Sequence, residues 1–289
     1  MRSFPEPAAF AAAVVVTLLL AAAAALGLAF LLATPLAAAV LGSLPAHTWW
    51  FSANVPQGGG GTGPLWSLGA AIAASCLAVP AAFRARALVR KSSSPMPPFV
   101  LLFLFSIGFE CLRAGVAVLV ATDRSISTAI ILTRAVYWAR LVGLFSLLAC
   151  SLYSLDMQFR NRLVLAGGIC LLSFAIAAYI PIDRTLFLAQ LTGKLGDEQG
   201  VWFVSIVVGA LVLASLAGSA LQKRDLRLLA LVGGFALLLA ARELLFFALR
   251  PAFLALGLAL LAAGAAVSLR WLSRISAEVV EKRIRKKRV

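Results

Sequence analysis

Apolar runs of about 20 residues recur along the whole chain, separated by short stretches that contain charged residues, proline or glycine. Runs of this length match helices that cross the roughly 30 Å hydrocarbon core of a bilayer. The pattern therefore predicts an all-α fold, a polytopic transmembrane helical bundle. Eight spans are predicted, at about 8–33, 65–84, 98–121, 127–153, 162–181, 200–221, 227–248 and 252–271.

The first apolar run is unusually long and continues past Pro35 to Leu44. We expect a kink at the proline, or a turn of the chain along the membrane interface. The small residues Ala37 to Ala39 leave a cleaved signal peptide as an alternative. A signal peptide has an apolar stretch of only about 7 to 15 residues, so a retained helix is favoured. Seven spans would remain if the first run were cleaved or lay on the surface.

Composition supports this architecture. Hydrophobic residues make up 62% of the 289 residues, charged residues only 13%, and the mean hydropathy is +1.00. A water-soluble fold of this size could not bury so much apolar surface. The net charge of +15 comes from lysines and arginines that fall between and after the apolar runs, where they orient helices. We therefore expect contact with a lipid bilayer and no binding of nucleic acid.

The basic residues of the connections gather on one side of the predicted bundle. With eight spans, 18 of them fall on the side of both termini and five on the opposite side. The positive-inside rule makes the richer side the cytoplasm. Residues 1–271 are predicted to form a single transmembrane domain, and residues 272–289 a basic cytoplasmic juxtamembrane tail. We expect the tail to contact anionic lipid head groups. A more specific hypothesis is that the tail is a helix that binds a cytoplasmic or membrane protein partner.

Two connections on the side with few basic residues have distinct patterns. The link at 183–200 reads "DRTLFLAQLTGKLGDEQG", and its leucines have near-helical spacing, which predicts a short helix lying on the membrane surface. These leucines are Leu186, Leu188, Leu191 and Leu195. The link "AHTWWFSANVPQGGGGTGP" contains no Asp, Glu, Lys or Arg. Its aromatic residues suit the membrane interface and its glycines suit a flexible loop.

Five charged side chains remain inside the predicted spans, although inserting one such residue at mid-helix costs roughly 3 kcal/mol. They are Glu110, Arg113, Arg140, Arg242 and Glu243. A helical rise of about 1.5 Å per residue places all five at middle or outer-middle depth, so they can meet in one cluster. Glu110 and Arg113 are three residues apart and share a helix face, which lets them pair.

The charge balance of this cluster leaves two interpretations open. Arg134 and Tyr137 precede Arg140 at spacings of three and extend the candidate site. Two carboxylates face three guanidinium groups, or four with Arg134, so at least one cation is left over. An anionic ligand such as a lipid phosphate or a small carboxylate would match guanidinium geometry. The alternative is structural: the residues connect helices, and the spare arginine snorkels outwards or bonds backbone carbonyls.

Arg242 and Glu243 are adjacent in sequence, about 100° apart around the helix. Because they cannot point the same way, we expect one of them to reach across to another helix.

Catalytic chemistry has no recognisable signature in this chain. No GxSxG, HExxH or Walker loop is present. His47 is the only histidine, and the four cysteines lie inside apolar runs without the spacing of metal ligands. We therefore predict no catalytic residue, no metal site and no cofactor, and we expect a protein that is not an enzyme.

Four segments, "LFLFSIGFECLRAG", "TRAVYWARLVGLFSLLACSLYSL", "IPID" and "ARELLFFALRP", together resemble uncharacterised multipass membrane proteins of bacteria. More distantly, the chain is similar to the seven-helix sensor modules that bacteria couple to signalling domains. The resemblance implies a helical bundle of the bacterial inner membrane. We expect a departure from those sensors in one respect, the lack of a kinase, cyclase or phosphatase domain after the last span.

Two classes of function are compatible with these observations. The first is a non-enzymatic sensor, scaffold or accessory subunit, whose buried cluster fixes the bundle or binds an anionic group. The second is a transporter or lipid-handling protein, in which the same cluster lines a passage. A route for water to Glu110 would favour the second class, and a dry, fully paired cluster would favour the first.

Overall fold

The structure, a computed structural model, describes residues 7–45, 62–91, 94–155, 157, 161–196 and 198–288. The predicted aromatic and glycine-rich loop falls mainly at 46–61 and lies outside the described residues. The described chain is a helical bundle with little sheet, and eight of its helical segments are long and apolar enough to cross a membrane. This confirms the predicted all-α fold class.

The helices and strands succeed one another along the chain with short connections. In order they are α1 (Pro7–Ala33), α2 (Pro35–Gly42), α3 (Gly63–Lys91), α4 (Pro97–Gly108), a 3₁₀ turn (Phe109–Leu112), α5 (Arg113–Ala121), α6 (Ile126–Ser154), α7 (Arg162–Tyr179), β1 (Ile182–Leu188), β2 (Thr192–Leu195), α8 (Glu198–Lys223), α9 (Leu226–Phe247) and α10 (Pro251–Arg288).

Proline and short polar side chains set several of the helix starts. The break expected at Pro35 is present: Thr34 is extended, and the proline begins α2, where its missing N–H costs nothing. Asn161 caps α7 and Asp225 caps α9, each accepting a hydrogen bond from the backbone N–H two residues later. The last helix continues unbroken through the basic tail to Arg288.

The third span is not one continuous α-helix. A 3₁₀ turn, Phe109–Leu112, separates α4 from α5 in the middle of the span. A 3₁₀ turn inside a long helix changes the direction of the side chains beyond it. Here it contains Glu110, one of the charged residues that the sequence places at mid-depth.

The third and fourth spans are the most enclosed helices of the bundle, and α7 and α8 are the most exposed. The main core is built chiefly from α3, α4, α6, α9 and α10, with a few residues of α1, α7 and α8, and a second core joins α1, α2, α3 and α5. The charged residues of the third, fourth and seventh spans therefore lie among the best-packed helices rather than at the periphery.

The link between α7 and α8 is an antiparallel hairpin, so the prediction of a surface helix at 183–200 was wrong. Strand β1 pairs with β2, with Leu188 opposite Thr192. The turn is folded back over the bundle: Leu191 is buried and adopts a left-handed conformation with φ 61°. The leucine spacing resembled a helix, but strand pairing and contacts to other helices decide the conformation of such a short segment.

The exposed start of the hairpin is held by a local turn. The Asp183 carboxylate accepts hydrogen bonds from the backbone N–H and the hydroxyl of Thr185, at 2.8 and 2.7 Å. These hydrogen bonds hold the pKa of Asp183 below its usual range.

Glycines let α9 and α10 pack closely. A Cβ atom added at Gly234 would lie 2.6 Å from the Ser268 hydroxyl and 3.2 Å from the Ser268 backbone nitrogen. Gly264 faces the backbone of Gly234 from the opposite helix, so small residues meet on both sides of the contact. A Cβ atom added at the neighbouring Gly233 would meet no described atom within 4 Å.

Replacing Gly234 with alanine should therefore destabilise the protein, and the same change at Gly233 should not. We expect Gly234→Ala to lower the free energy of unfolding by about 1–3 kcal/mol, because the added methyl group overpacks the contact. Thermal unfolding in detergent would measure both variants. A Gly233→Ala variant that unfolds as early as Gly234→Ala would show that the close approach is unimportant.

Candidate functional site: a buried arginine and glutamate cluster

Charged side chains from three spans meet inside the bundle. We call Glu110, Arg113, Arg140, Arg242 and Glu243 the charged cluster. The 3₁₀ turn and α5 supply the first two residues, α6 supplies the third and α9 the last two. Four of the five are buried, with exposed fractions of 9% or less, and the Glu243 side chain is 31% exposed. The five residues, which the sequence placed at a similar level along their helices, are thus close together in the structure.

Glu110 is at the centre of the charged cluster. Its Oε2 lies 3.6 Å from Nη2 of Arg113, and its Oε1 lies 3.6 Å from Nη1 of Arg140 and 3.5 Å from Nε of Arg242. These contacts are ion pairs slightly longer than direct hydrogen bonds. One carboxylate therefore balances charge from three guanidinium groups, each attached to a different helix.

Arg140 connects the two carboxylates. Its Nη2 donates a hydrogen bond of 2.6 Å to Oε1 of Glu243, the shortest ion pair described in the cluster. Its guanidinium group also lies 3.9 Å from the centre of the Phe246 ring, and that of Arg113 lies 5.1 Å from the same centre. The ring is thus in cation–π range of both arginines, which stabilises positive charge away from water.

Arg113 closes the end of α9. Its Nη2 donates to the carbonyl of Leu245 at 3.4 Å, and its Nη1 donates to the carbonyl of Phe246 at 3.3 Å. Gln190 from the hairpin donates to the carbonyl of Phe247 at 3.2 Å. The Leu244 carbonyl accepts a hydrogen bond from the backbone N–H of Ala248, four residues later. All four carbonyls that a helix leaves open at its C-terminus therefore have donors.

The charged cluster has three arginines and two glutamates, and the end of α9 balances the one positive charge in excess. Arg113 is 0% exposed, yet its guanidinium group also donates to the Ser67 hydroxyl and the Gln190 carbonyl, at 3.2 and 3.5 Å. The C-terminus of a helix carries a partial negative charge of about half an elementary charge. The end of α9 thus serves as a counter-charge for Arg113.

Arg242 reaches from α9 into α6. Its Nη2 donates to the carbonyl of Ala139 at 3.1 Å. The space for its side chain exists because residue 143 is glycine: a Cβ atom there would collide with the guanidinium group and with the Ser106 hydroxyl. We expected one of the two neighbours to reach another helix, and both reach α6: Arg242 contacts Ala139 and Glu243 contacts Arg140.

The two remaining candidates from the sequence have different positions. Tyr137 is buried and packs edge to face on Phe246, with ring centres 5.8 Å apart, so it lines the charged cluster. Arg134 is exposed and lies outside the cluster, because its position on α6 faces away from the enclosed side.

Four residues of the site were missed by sequence reasoning: Ser67, Gly143, Gln190 and Phe246. Gly143 and Phe246 each come three positions after a cluster residue, so helical spacing could have identified them. Ser67 and Gln190 meet Arg113 from 46 and 77 residues away along the chain, and no local signal marks them.

Among the described residues, the voids next to the charged cluster lie on the side of Glu243. Two adjoining voids of about 20 Å³ each are lined by Tyr137, Arg140, Val201, Ser205 and Glu243, among others. Each has room for about one water molecule. A phosphate or carboxylate group would not fit there without displacement of side chains, and Glu110 is 3% exposed.

Comparison of the chain with protein-family models, with curated proteins and with solved structures finds no significant match. A function for this chain is therefore inferred from the geometry of the site.

Replacing Arg113 with lysine should destabilise the protein although the charge is kept. An ammonium group cannot donate to two adjacent carbonyls in the way a guanidinium group does. Each buried polar group left without a partner costs about 1–3 kcal/mol, so we expect the free energy of unfolding to fall by at least about 2 kcal/mol. Denaturant titration in detergent would measure the change.

Arg134→Lys on the same bundle is the matched control, and should change the free energy of unfolding by less than about 0.5 kcal/mol because Arg134 is exposed. Equal stability of the two variants would contradict the assignment of Arg113 to the end of α9.

Proposed function

We propose that the protein is a non-enzymatic component of the bacterial inner membrane, a sensor, scaffold or accessory subunit, in which the charged cluster fixes the bundle. The observation that carries this proposal is the enclosure of Glu110 and Arg113, which are 3% and 0% exposed. A passage for a polar substrate needs groups that water can reach, whereas paired and enclosed charges connect helices. The transporter alternative is therefore less well supported.

The orientation that we propose puts the basic tail in the cytoplasm and the hairpin on the outer face. The excess of lysine and arginine on the side of both termini supports it. The clustering of basic residues in the last eight positions also supports it, because lysine and arginine next to a span are attracted to the anionic cytoplasmic leaflet.

A sensor role would use the contacts that join the hairpin to the tail. Gln190 and Arg113 bind the end of α9, α9 packs along α10 at Gly234 and Gly264, and α10 continues into the tail. A ligand or partner that moves the hairpin would act on the end of α9 through these hydrogen bonds. The resemblance to bacterial sensor modules agrees with this direction of coupling, and a cytoplasmic partner would receive the change at the tail.

Cysteine accessibility distinguishes an enclosed cluster from a passage. In a variant without native cysteines, Ser67→Cys and Ser106→Cys place a thiol beside Arg113 and Arg242 at little cost in size. We expect a small, membrane-impermeant maleimide to leave both unlabelled, in intact cells and in inverted vesicles, because both positions are 5% exposed or less. Labelling after denaturation confirms that the thiols are present.

Two exposed positions serve as controls for the same experiment. Thr185→Cys on the hairpin should be labelled in intact cells, and Lys91→Cys at the end of α3 only in inverted vesicles. Labelling of either cluster position in folded protein would overturn the proposal and support a water-filled passage. The reverse pattern at the two controls would overturn the orientation alone.

A further inference from the structure

A cavity of about 230 Å³ lies between the turn that joins α5 to α6 and the first strand of the hairpin. Its apolar lining comes from Leu119 and Val120 of α5, Ile126 and Ala129 of α6 and Phe187 of β1. The volume suffices for several water molecules, and hence for a small organic molecule. No residue of the charged cluster lines this cavity, so it is a separate site.

Three charged residues complete the lining of the cavity: Asp123 and Arg124 from the turn and Arg184 from β1. Among the described residues, none of these three side chains takes part in an ion pair or a hydrogen bond. The charged cluster differs in this respect, because its guanidinium groups lie against carboxylates and backbone carbonyls. The charges that line the cavity are therefore available to a ligand.

The end of α5 fixes the positions of two of these residues. The Arg124 N–H donates to the Leu119 carbonyl at 2.9 Å, the closing hydrogen bond of a Schellman motif. The motif requires a left-handed residue before Arg124, and Asp123 has φ 50°. Glycine is the usual residue at such a position because it adopts this conformation without strain. The turn thus keeps a carboxylate where glycine would be less strained, which favours a role for the charge.

The start of α6 adds positive potential to the cavity. Ile126 begins the helix and lines the cavity, and no side chain caps the first turn among the residues described there. The N-terminus of a helix carries a partial positive charge of about half an elementary charge. Together with Arg124 and Arg184 it favours an anionic group in the cavity, whereas Asp123 favours a cationic group beside it.

We propose that this cavity binds a zwitterion with an apolar side chain, that is, an α-amino acid such as leucine. Arg124 and Arg184 bind the carboxylate, for which guanidinium geometry is suited, and Asp123 accepts from the ammonium group. The hydrocarbon side chain packs on Phe187 and the rest of the apolar lining. A simple anion would be repelled by Asp123 and a simple amine by the two arginines, whereas a zwitterion satisfies both signs of charge.

Such a ligand would join two elements that meet again at the end of α9. Helix α5, which ends at the cavity, begins with Arg113, and the hairpin that contributes Arg184 also carries Gln190. Arg113 and Gln190 both donate to carbonyls of α9. The proposal thus names the ligand class for the sensor role proposed above. It rests on that role for the effect of binding, whereas binding itself is measured separately.

Isothermal titration calorimetry of the full-length protein in mild detergent tests the inference. The probes are leucine, 4-methylpentanoate, which lacks the ammonium group, and 3-methylbutylamine, which lacks the carboxylate. All three have the same hydrocarbon body. We expect leucine to bind at least about tenfold more tightly than either analogue, because each analogue leaves a charge of the cavity without a partner. No binding of leucine, or equal binding of 4-methylpentanoate, would overturn the proposal.

Three variants at exposed positions assign the binding to this cavity. Arg184→Gln should weaken leucine binding at least about tenfold. Arg134→Gln is the matched control and should leave the affinity unchanged, because this exposed arginine of α6 does not line the cavity. Asp123→Asn keeps a residue that tolerates the left-handed conformation and should remove the preference for leucine over 4-methylpentanoate. Thermal unfolding checks that all three variants fold, and unchanged leucine affinity in Arg184→Gln would overturn the site.

The result for the site is separable from the result for the sensor role. Hydrogen–deuterium exchange with and without leucine shows whether binding changes the protection of the hairpin and of α10. Leucine binding without any change there would refute the sensor role and leave the site in place. Absence of leucine binding would refute the site, and thiol protection at the charged cluster would still test the proposed function.

Discussion

The buried guanidinium group of Arg113 at the C-terminus of α9 is the interaction on which the rest of the structure depends. A helix that ends inside a low-dielectric interior exposes carbonyls that no water can satisfy. Arg113 supplies donors to two of these carbonyls and Gln190 to a third. The charge and the helix end each remove the cost of burying the other, because the helix dipole is negative where the guanidinium is positive.

Several features of the fold depend on this pairing. The 3₁₀ turn places Glu110 within reach of three arginines while Arg113 points at α9. The hairpin must fold back over the bundle for Gln190 to reach Phe247, and Gly143 must lack a side chain for Arg242 to enter α6. Buried ion pairs contribute little net stability on average, but an unpaired member is strongly destabilising. The charged cluster therefore specifies one arrangement of the helices rather than adding much free energy.

The same arrangement separates buried charge from exposed charge. Inside the bundle the guanidinium groups lie against backbone carbonyls, Glu110 and Glu243. Most of the other basic residues lie in the connections and the tail.

The sequence by itself determined the helical membrane bundle, the eight candidate spans, the break at Pro35 and the shared level of the five charged residues along their helices. These properties depend on the length of apolar runs and on helical rise, which are local. Only the tertiary structure decided that Arg134 lies outside the cluster, that 183–200 forms a hairpin, and that the spare charge of Arg113 is balanced by a helix end. The rotation of each helix about its axis selects which side chains meet, and the partners of Arg113 on α9 are more than 130 residues away. No local pattern carries that information, because it arises from packing the helices together.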